Sequence, residues 1–67
     1  MPWSSEHYPA AMENLPPAVR QKAIVIANAL LDDGYPEKQA IRIAIASAKA
    51  WARRREADDP GVFDYLH

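Results

Sequence analysis

Gly34-Tyr35-Pro36 breaks an otherwise continuous stretch of helix-forming residues in two, and that break limits the fold more tightly than anything else in the chain. Glycine supplies the left-handed residue with which helices commonly end, and proline cannot continue one. Upstream, Pro17 suits a first helical turn, where its missing N–H costs nothing, and Pro16 before it is held extended. A first helix is therefore expected over residues 17–33. Downstream, Pro36 again fits a first turn, Glu37 complements the positive end of the helix dipole, and strong helix formers run on to about Glu56. That predicts a second helix over residues 36–56. With only Gly34 and Tyr35 between them, the two must turn back on each other as an antiparallel hairpin, so the fold class is all-α.

At about 100° per residue, Val19, Ala23, Ile26 and Leu30 fall on one line of the first helix, widened by Ile24, Ala27 and Leu31. Arg20, Gln21, Lys22 and Asn28 are expected mostly outside that face. In the second helix Ala40, Ile41, Ala44, Ile45, Ala48, Trp51 and Ala52 form the main apolar face, and the small residues Ala40, Ala44 and Ala48 allow another helix to approach closely. Ile43, Ala46 and Ala50 lie outside that face, which leaves a second apolar surface to be covered. Residues 1–16, with Pro2, Pro9 and Pro16 interleaved with Trp3, Tyr8, Met12 and Leu15, read as an irregular arm with one short helical turn that packs on the hairpin. Residues 1–56 then make one small helical domain. Residues 57–67 make an acidic and aromatic tail, in which Val62, Phe63, Tyr65 and Leu66 favour docking on this domain or on a partner.

A chain of 67 residues buries a small share of its surface and needs some reinforcement. It has no cysteine, which closes the disulfide route and any thiolate metal site. Packed helices, helped by self-association, remain. The start, Met1-Pro2-Trp3-Ser4-Ser5-Glu6-His7, lacks a basic stretch followed by an apolar run, so a cytoplasmic protein is expected. The most apolar segment, residues 40–52, is interrupted by Arg42 and Lys49 and falls short of the roughly 20 residues that a membrane span requires.

Charge is unevenly placed. Residues 38–55 hold Lys38, Arg42, Lys49, Arg53, Arg54 and Arg55 with no acid among them, whereas Glu56, Asp58, Asp59 and Asp64 fill the end of the chain. Lys38, Arg42, Lys49 and Arg53 fall close to one line along the second helix, with Arg54 and Arg55 extending the charge at its end. Such a stripe can bind a polyanion. It is also what a helix that is apolar elsewhere puts on its one solvated face, and a net charge of -1 weakens the nucleic-acid reading. A helix, a glycine turn and a helix invite comparison with DNA-binding helix-turn-helix units, but those join short helices at a steep angle.

No catalytic set emerges. His7 could serve as a base for Ser4 or Ser5, but all three stand in the arm without an orienting carboxylate. Asp58, Asp59 and Asp64 lack the alternating spacing of a calcium loop. Ser47, in mid-helix, reads as a small packing residue, and Trp3, Tyr8, Tyr35, Trp51, Phe63 and Tyr65 as bulky residues that seal the edges of an alanine-rich pair.

Several segments carry a family likeness: Met1-Pro2-Trp3-Ser4 with Tyr8-Pro9, then Leu15-Pro16-Pro17-Ala18-Val19-Arg20 with Lys22-Ala23-Ile24, then Ile26-Ala27-Asn28-Ala29-Leu30-Leu31 ending in Gly34-Tyr35. Together with Ala40-Ile41, Ile43-Ala44 and Ala48-Lys49-Ala50-Trp51-Ala52, they resemble the N-terminal domain of the YdaT-type bacterial stress proteins over about residues 1–53. The resemblance implies an accessory domain linked to stress, and in longer relatives a second, unrelated domain follows. Met1-Pro2, Leu15-Pro16 and residues 48–51 also resemble the ChaB family, which implies a regulator of cation transport. Gly34-Tyr35-Pro36-Glu37 with Gln39-Ala40-Ile41 is similar to the loop of ubiquitin-associated domains, though the second helix is too long for that fold. None of these families offers catalytic residues to carry over.

The expectation is a non-enzymatic interaction domain with no cofactor, no metal and no small-molecule substrate. Its partner would be another protein or a second copy, met through Ile43, Ala46, Ala50, Phe63, Tyr65 and Leu66. The alternative is a weak nucleic-acid binder using Lys38, Arg42, Lys49, Arg53, Arg54 and Arg55.

Overall fold

The computed structural model of the chain describes residues 2–57. Two helices dominate it: α1, Pro17–Asp32, and α2, Glu37–Ala57, packed side by side. A single 3₁₀ turn, Ala10–Met12, precedes them, and no strand occurs among the described residues. The all-α hairpin read from the residues is thus the fold. Pro16, extended at φ -55 and ψ 149, caps α1 from outside, and its carbonyl accepts the Arg20 N–H at 2.8 Å. Pro36 stands one position outside α2 rather than within its first turn, with its carbonyl accepting the Ala40 N–H at 2.9 Å.

The end of α1 explains how so short a connection works. Tyr35 N–H donates to the Leu30 carbonyl at 3.1 Å and Gly34 N–H to the Leu31 carbonyl at 3.0 Å, a Schellman arrangement that satisfies carbonyls the helix itself leaves unpaired. It requires a left-handed residue, and Gly34 takes φ +95. Because the reversal is completed within this motif, the chain enters α2 already pointing back. The start of α1 consequently meets the end of α2, where Ala18 and Val19 lie beside Trp51, Ala52 and Arg55.

The seam between the helices is made of small residues. Ala23 and Ala27 of α1 and Ala40, Ala44 and Ala48 of α2 are all 0% exposed. Alanine at each four-residue step lets the backbones approach, as the spacing in α2 predicts. In α1 the buried side is rotated from the expected line. Its buried residues are Ala23, Ile24, Ala27 and Asn28, while Val19, Ile26, Leu30 and Leu31 are only partly covered. The reason is that α1 has two neighbours: α2 covers Ala23 and Ala27, and the arm covers the flank that carries Asn28.

Asn28, expected outside the core, is 2% exposed and binds the arm by its main chain. Its Oδ1 accepts the Trp3 N–H at 3.2 Å and its Nδ2 donates to the Trp3 carbonyl at 2.9 Å, so one side-chain amide pairs both backbone groups of a single residue. From there the arm turns at Ser4, whose backbone exchanges hydrogen bonds with that of His7. The Ser4 hydroxyl also accepts the N–H groups of Glu6 and His7, each at 3.3 Å. The 3₁₀ turn then delivers Met12, 0% exposed, into the core with Ala23, Ile24, Ala27, Ala44 and Ala48. Trp3, Tyr8 and Leu15 pack around that cluster, so the arm lies on the hairpin as expected. Arg20 ties down its second half. The guanidinium stacks 4.9 Å from the centre of the Tyr8 ring and reaches the Glu13 and Leu15 carbonyls at 3.4 Å each.

Candidate interaction surface

The buried line Ala40, Ala44 and Ala48 fixes which side of α2 faces outward. Counting about 100° per residue from it, Lys38, Arg42, Ala46, Lys49 and Arg53 cluster on the opposite side, and all five are exposed. The basic stripe therefore stands where helical geometry puts it, directly away from α1. Arg42, Lys49 and Arg53 converge with Ile45 and Ala46 on one open depression of this face. Ile45 also packs against the core cluster, and Ala46 lines the depression beside the three cations. Such a surface can accept an acidic segment that also carries apolar side chains.

The remaining site residues separate. Ile43 and Ala50 are half-buried on the neighbouring side of the helix and do not line the depression. Ala46 alone of the expected apolar trio is exposed and within it. Phe63, Tyr65 and Leu66 lie outside the described residues. Arg54 is exposed off the stripe, and Arg55 turns onto the other flank, stacked 5.0 Å from the centre of the Trp51 ring. The Lys22 ammonium lies 5.3 Å from the same ring, so Trp51 meets two cations. Arg55 stands four residues after Trp51, a spacing that puts them on one side of a helix, so this pairing could have been found in the sequence; the approach of Lys22 across the hairpin could not.

Two expectations need correcting. Ser47, read as a packing residue, is exposed: it stands about 20° around the helix from Ala40, at the edge of the seam, where neither α1 nor the arm covers it. Tyr35, read as sealing an edge, is 41% exposed, since its backbone rather than its ring serves the turn. Val25 on α1 is exposed at 52% as well. Among the described residues, no three His, Asp or Glu side chains are gathered as metal ligands would be, and no helix is long and apolar enough to cross a membrane.

These elements define a small all-α chain, a two-helix hairpin with its N-terminal arm strapped along one flank. No family model and no solved structure matches it. Among curated proteins it is 52% identical over 66 residues to the uncharacterized protein YdaT of Bacillus subtilis (strain 168), a match over 98% of this chain and 43% of that one. The likeness supports a YdaT-type chain, and the chain spans less than half the length of the relative it matches.

Proposed function

We propose that the chain is a non-enzymatic accessory domain that binds another protein through the outward face of α2. The observation that carries this is the depression that Arg42, Lys49 and Arg53 line together with Ile45 and Ala46, on the side of α2 turned away from α1. Apolar and basic side chains on one surface suit an acidic amphipathic segment, with the cations speeding encounter and the apolar contact slowing release. A role in the bacterial cytoplasm linked to stress is in keeping with the YdaT likeness seen in the residues. The test is affinity capture from the source cell with the chain and with its Ala46→Glu variant, alongside sedimentation of each. A partner, or a second copy, should be retained by the former and lost by the latter while the helical circular dichroism stays unchanged. Equal retention by both would remove the proposal.

A second reading is favoured by the convergence of the same three cations: weak binding of nucleic acid. Three phosphate contacts on duplex DNA correspond to a log–log salt slope of roughly -2.7. Absence of binding to short duplexes and single strands at low salt disposes of it. A ChaB-like part in regulating cation transport rests on Met1-Pro2, Leu15-Pro16 and residues 48–51 alone, and no feature of the hairpin adds to it.

A further inference from the structure

The outer face of α1 is left bare between the flank that the arm covers and the side that meets α2. Ala18, Gln21, Val25, Ala29 and Asp32 fall within about 40° of Val25 around the helix, and all five are exposed. Val25, at 52%, is the most exposed large apolar side chain among the described residues. From Ala18 to Ala29 this stripe carries no charge, and an alanine on either side of Val25 lets another helix approach closely. The stripe shares no residue with the depression on α2, so what covers it is a question independent of the proposed function.

No side chain of α1 offsets the helix dipole. At the start, Pro16 gives no side-chain cap and the first turn holds no acid; at the end, the last turn holds no base. Asp32 and the C-cap Asp33 stand instead at the negative pole, where an acid is disfavoured. The positive pole gathers cations in turn. Lys22 and Arg55 both approach Trp51, and Trp51 and Arg55 line a groove together with Ala18. The face is thus positive at one end, negative at the other and neutral between.

Such a face complements itself in one orientation. Ala18 and Asp32 each stand seven residues from Val25, and Gln21 and Ala29 each stand four. Laid antiparallel about a two-fold axis at Val25, two copies place Val25 against Val25 and Gln21 against Ala29. Asp32 of each then meets the Ala18 end of the other, where unpaired helix N–H groups and Lys22 attract it. Parallel pairing would set like poles together. Two copies meeting at the α2 depression would likewise bring Arg42, Lys49 and Arg53 of each against the same cations of the other.

We infer that the outer face of α1 is the contact surface of a two-fold homodimer of this chain, antiparallel and centred on Val25. A face one helix wide falls short of the roughly 1,200 Å² that stable interfaces bury, so the dimer is weak, with a dissociation constant on the order of 0.1 mM. Since the α2 depression points away from α1, the pair presents two such depressions on opposite sides.

The experiment is sedimentation equilibrium of the full chain at concentrations up to about 1 mM, ten times that constant. Val25→Asp sets two carboxylates against each other at the axis and should raise the dissociation constant at least about tenfold with unchanged helical circular dichroism. Asp32→Lys separates pairing from folding. A lysine favours the end of its own helix, so the melting temperature should rise, while it repels the partner's positive pole, so the dimer should weaken. Ala46→Glu should leave the association as it is. The chain has no cysteine, so Gln21→Cys takes a single spin label. On copies mixed with unlabelled, nitrogen-15-enriched chain, that label should broaden the amide of Ala29 more than that of Gln21. A chain that stays monomeric throughout, or a Val25→Asp variant that associates as tightly as the parent, overturns the inference. So does broadening strongest at Gln21 or Ala46, and so does loss of association in Ala46→Glu, which would put the contact on α2.

Discussion

Replacing Asn28 by alanine removes both hydrogen bonds that hold Trp3 and leaves the helix backbone untouched. Each bond contributes about 1 kcal/mol net, because folding exchanges it for a bond to water. Trp3 can swing out and rehydrate its freed N–H and carbonyl, so no large desolvation penalty is added, and the expected loss is about 2 kcal/mol. That is a sizeable part of the whole for 67 residues, whose total stability is on the order of 3–10 kcal/mol. At about 4–8 °C per kcal/mol for a domain of this size, the melting temperature should fall by roughly 8–16 °C. Urea and thermal unfolding followed by circular dichroism give the loss, and hydrogen exchange locates it. Protection of the Trp3 amide should disappear while that of Ala44 and Ala48 persists. Asn28→Asp sharpens the test: the introduced carboxylate still accepts from Trp3 N–H but faces the Trp3 carbonyl with no proton to donate, in a site only 2% exposed. Burial should raise its folded-state pKa above the ordinary value of about 3.9, so its neutral form is the one that folding favours. Stability of this variant should therefore recover as pH falls below the folded-state pKa and be lost as pH rises through it. A loss under about 0.5 kcal/mol in Asn28→Ala, or an unchanged Trp3 amide, would show that the arm is held by its side chains and refute the reasoning.

Ala44→Leu should cost about 1–3 kcal/mol by forcing the helices apart at a 0%-exposed position, whereas Ala46→Leu, two residues further on and exposed, should stay within about 0.5 kcal/mol in the same denaturation assay. Gly34→Ala should cost about 1–2 kcal/mol, since a Cβ there meets nothing within 4 Å and only the left-handed backbone at φ +95 resists it; a loss well beyond that range would mean that the turn rearranges.

The hairpin was legible because its punctuation is local. Pro16-Pro17 and Gly34 act on their own backbone dihedrals, and the four-residue alanine spacing of α2 translates directly into a face. The outward stripe was legible for the same reason, since helical periodicity alone lines up Arg42, Lys49 and Arg53. What escaped was everything that depends on two segments far apart in the chain. Periodicity assigns the face of α1 as though one neighbour covered it, and the arm is a second. Asn28 did leave a signal: a poor helix former among Ile24, Ala27 and Leu31, which lie on its own side of the helix. A polar side chain in that setting has to find backbone to bind. Which backbone it finds, 25 residues upstream, periodicity does not say. Arg20 likewise reads as lying outside the core, with no hint that it stacks on Tyr8, whereas the separation of Arg55 from the stripe was open to periodicity, since it stands four residues from Trp51 and on its side of the helix.

The alanines of the seam also bear on how so few residues hold together. A leucine or methionine must give up rotamer freedom when it is buried, at up to about 1–2 kcal/mol, but alanine has none to surrender. Ala23, Ala27, Ala40, Ala44 and Ala48 thus join two helices through side chains that were already rigid in the unfolded polypeptide. The interface forms with almost no ordering of its own parts, and the entropy opposing it comes nearly all from the backbone.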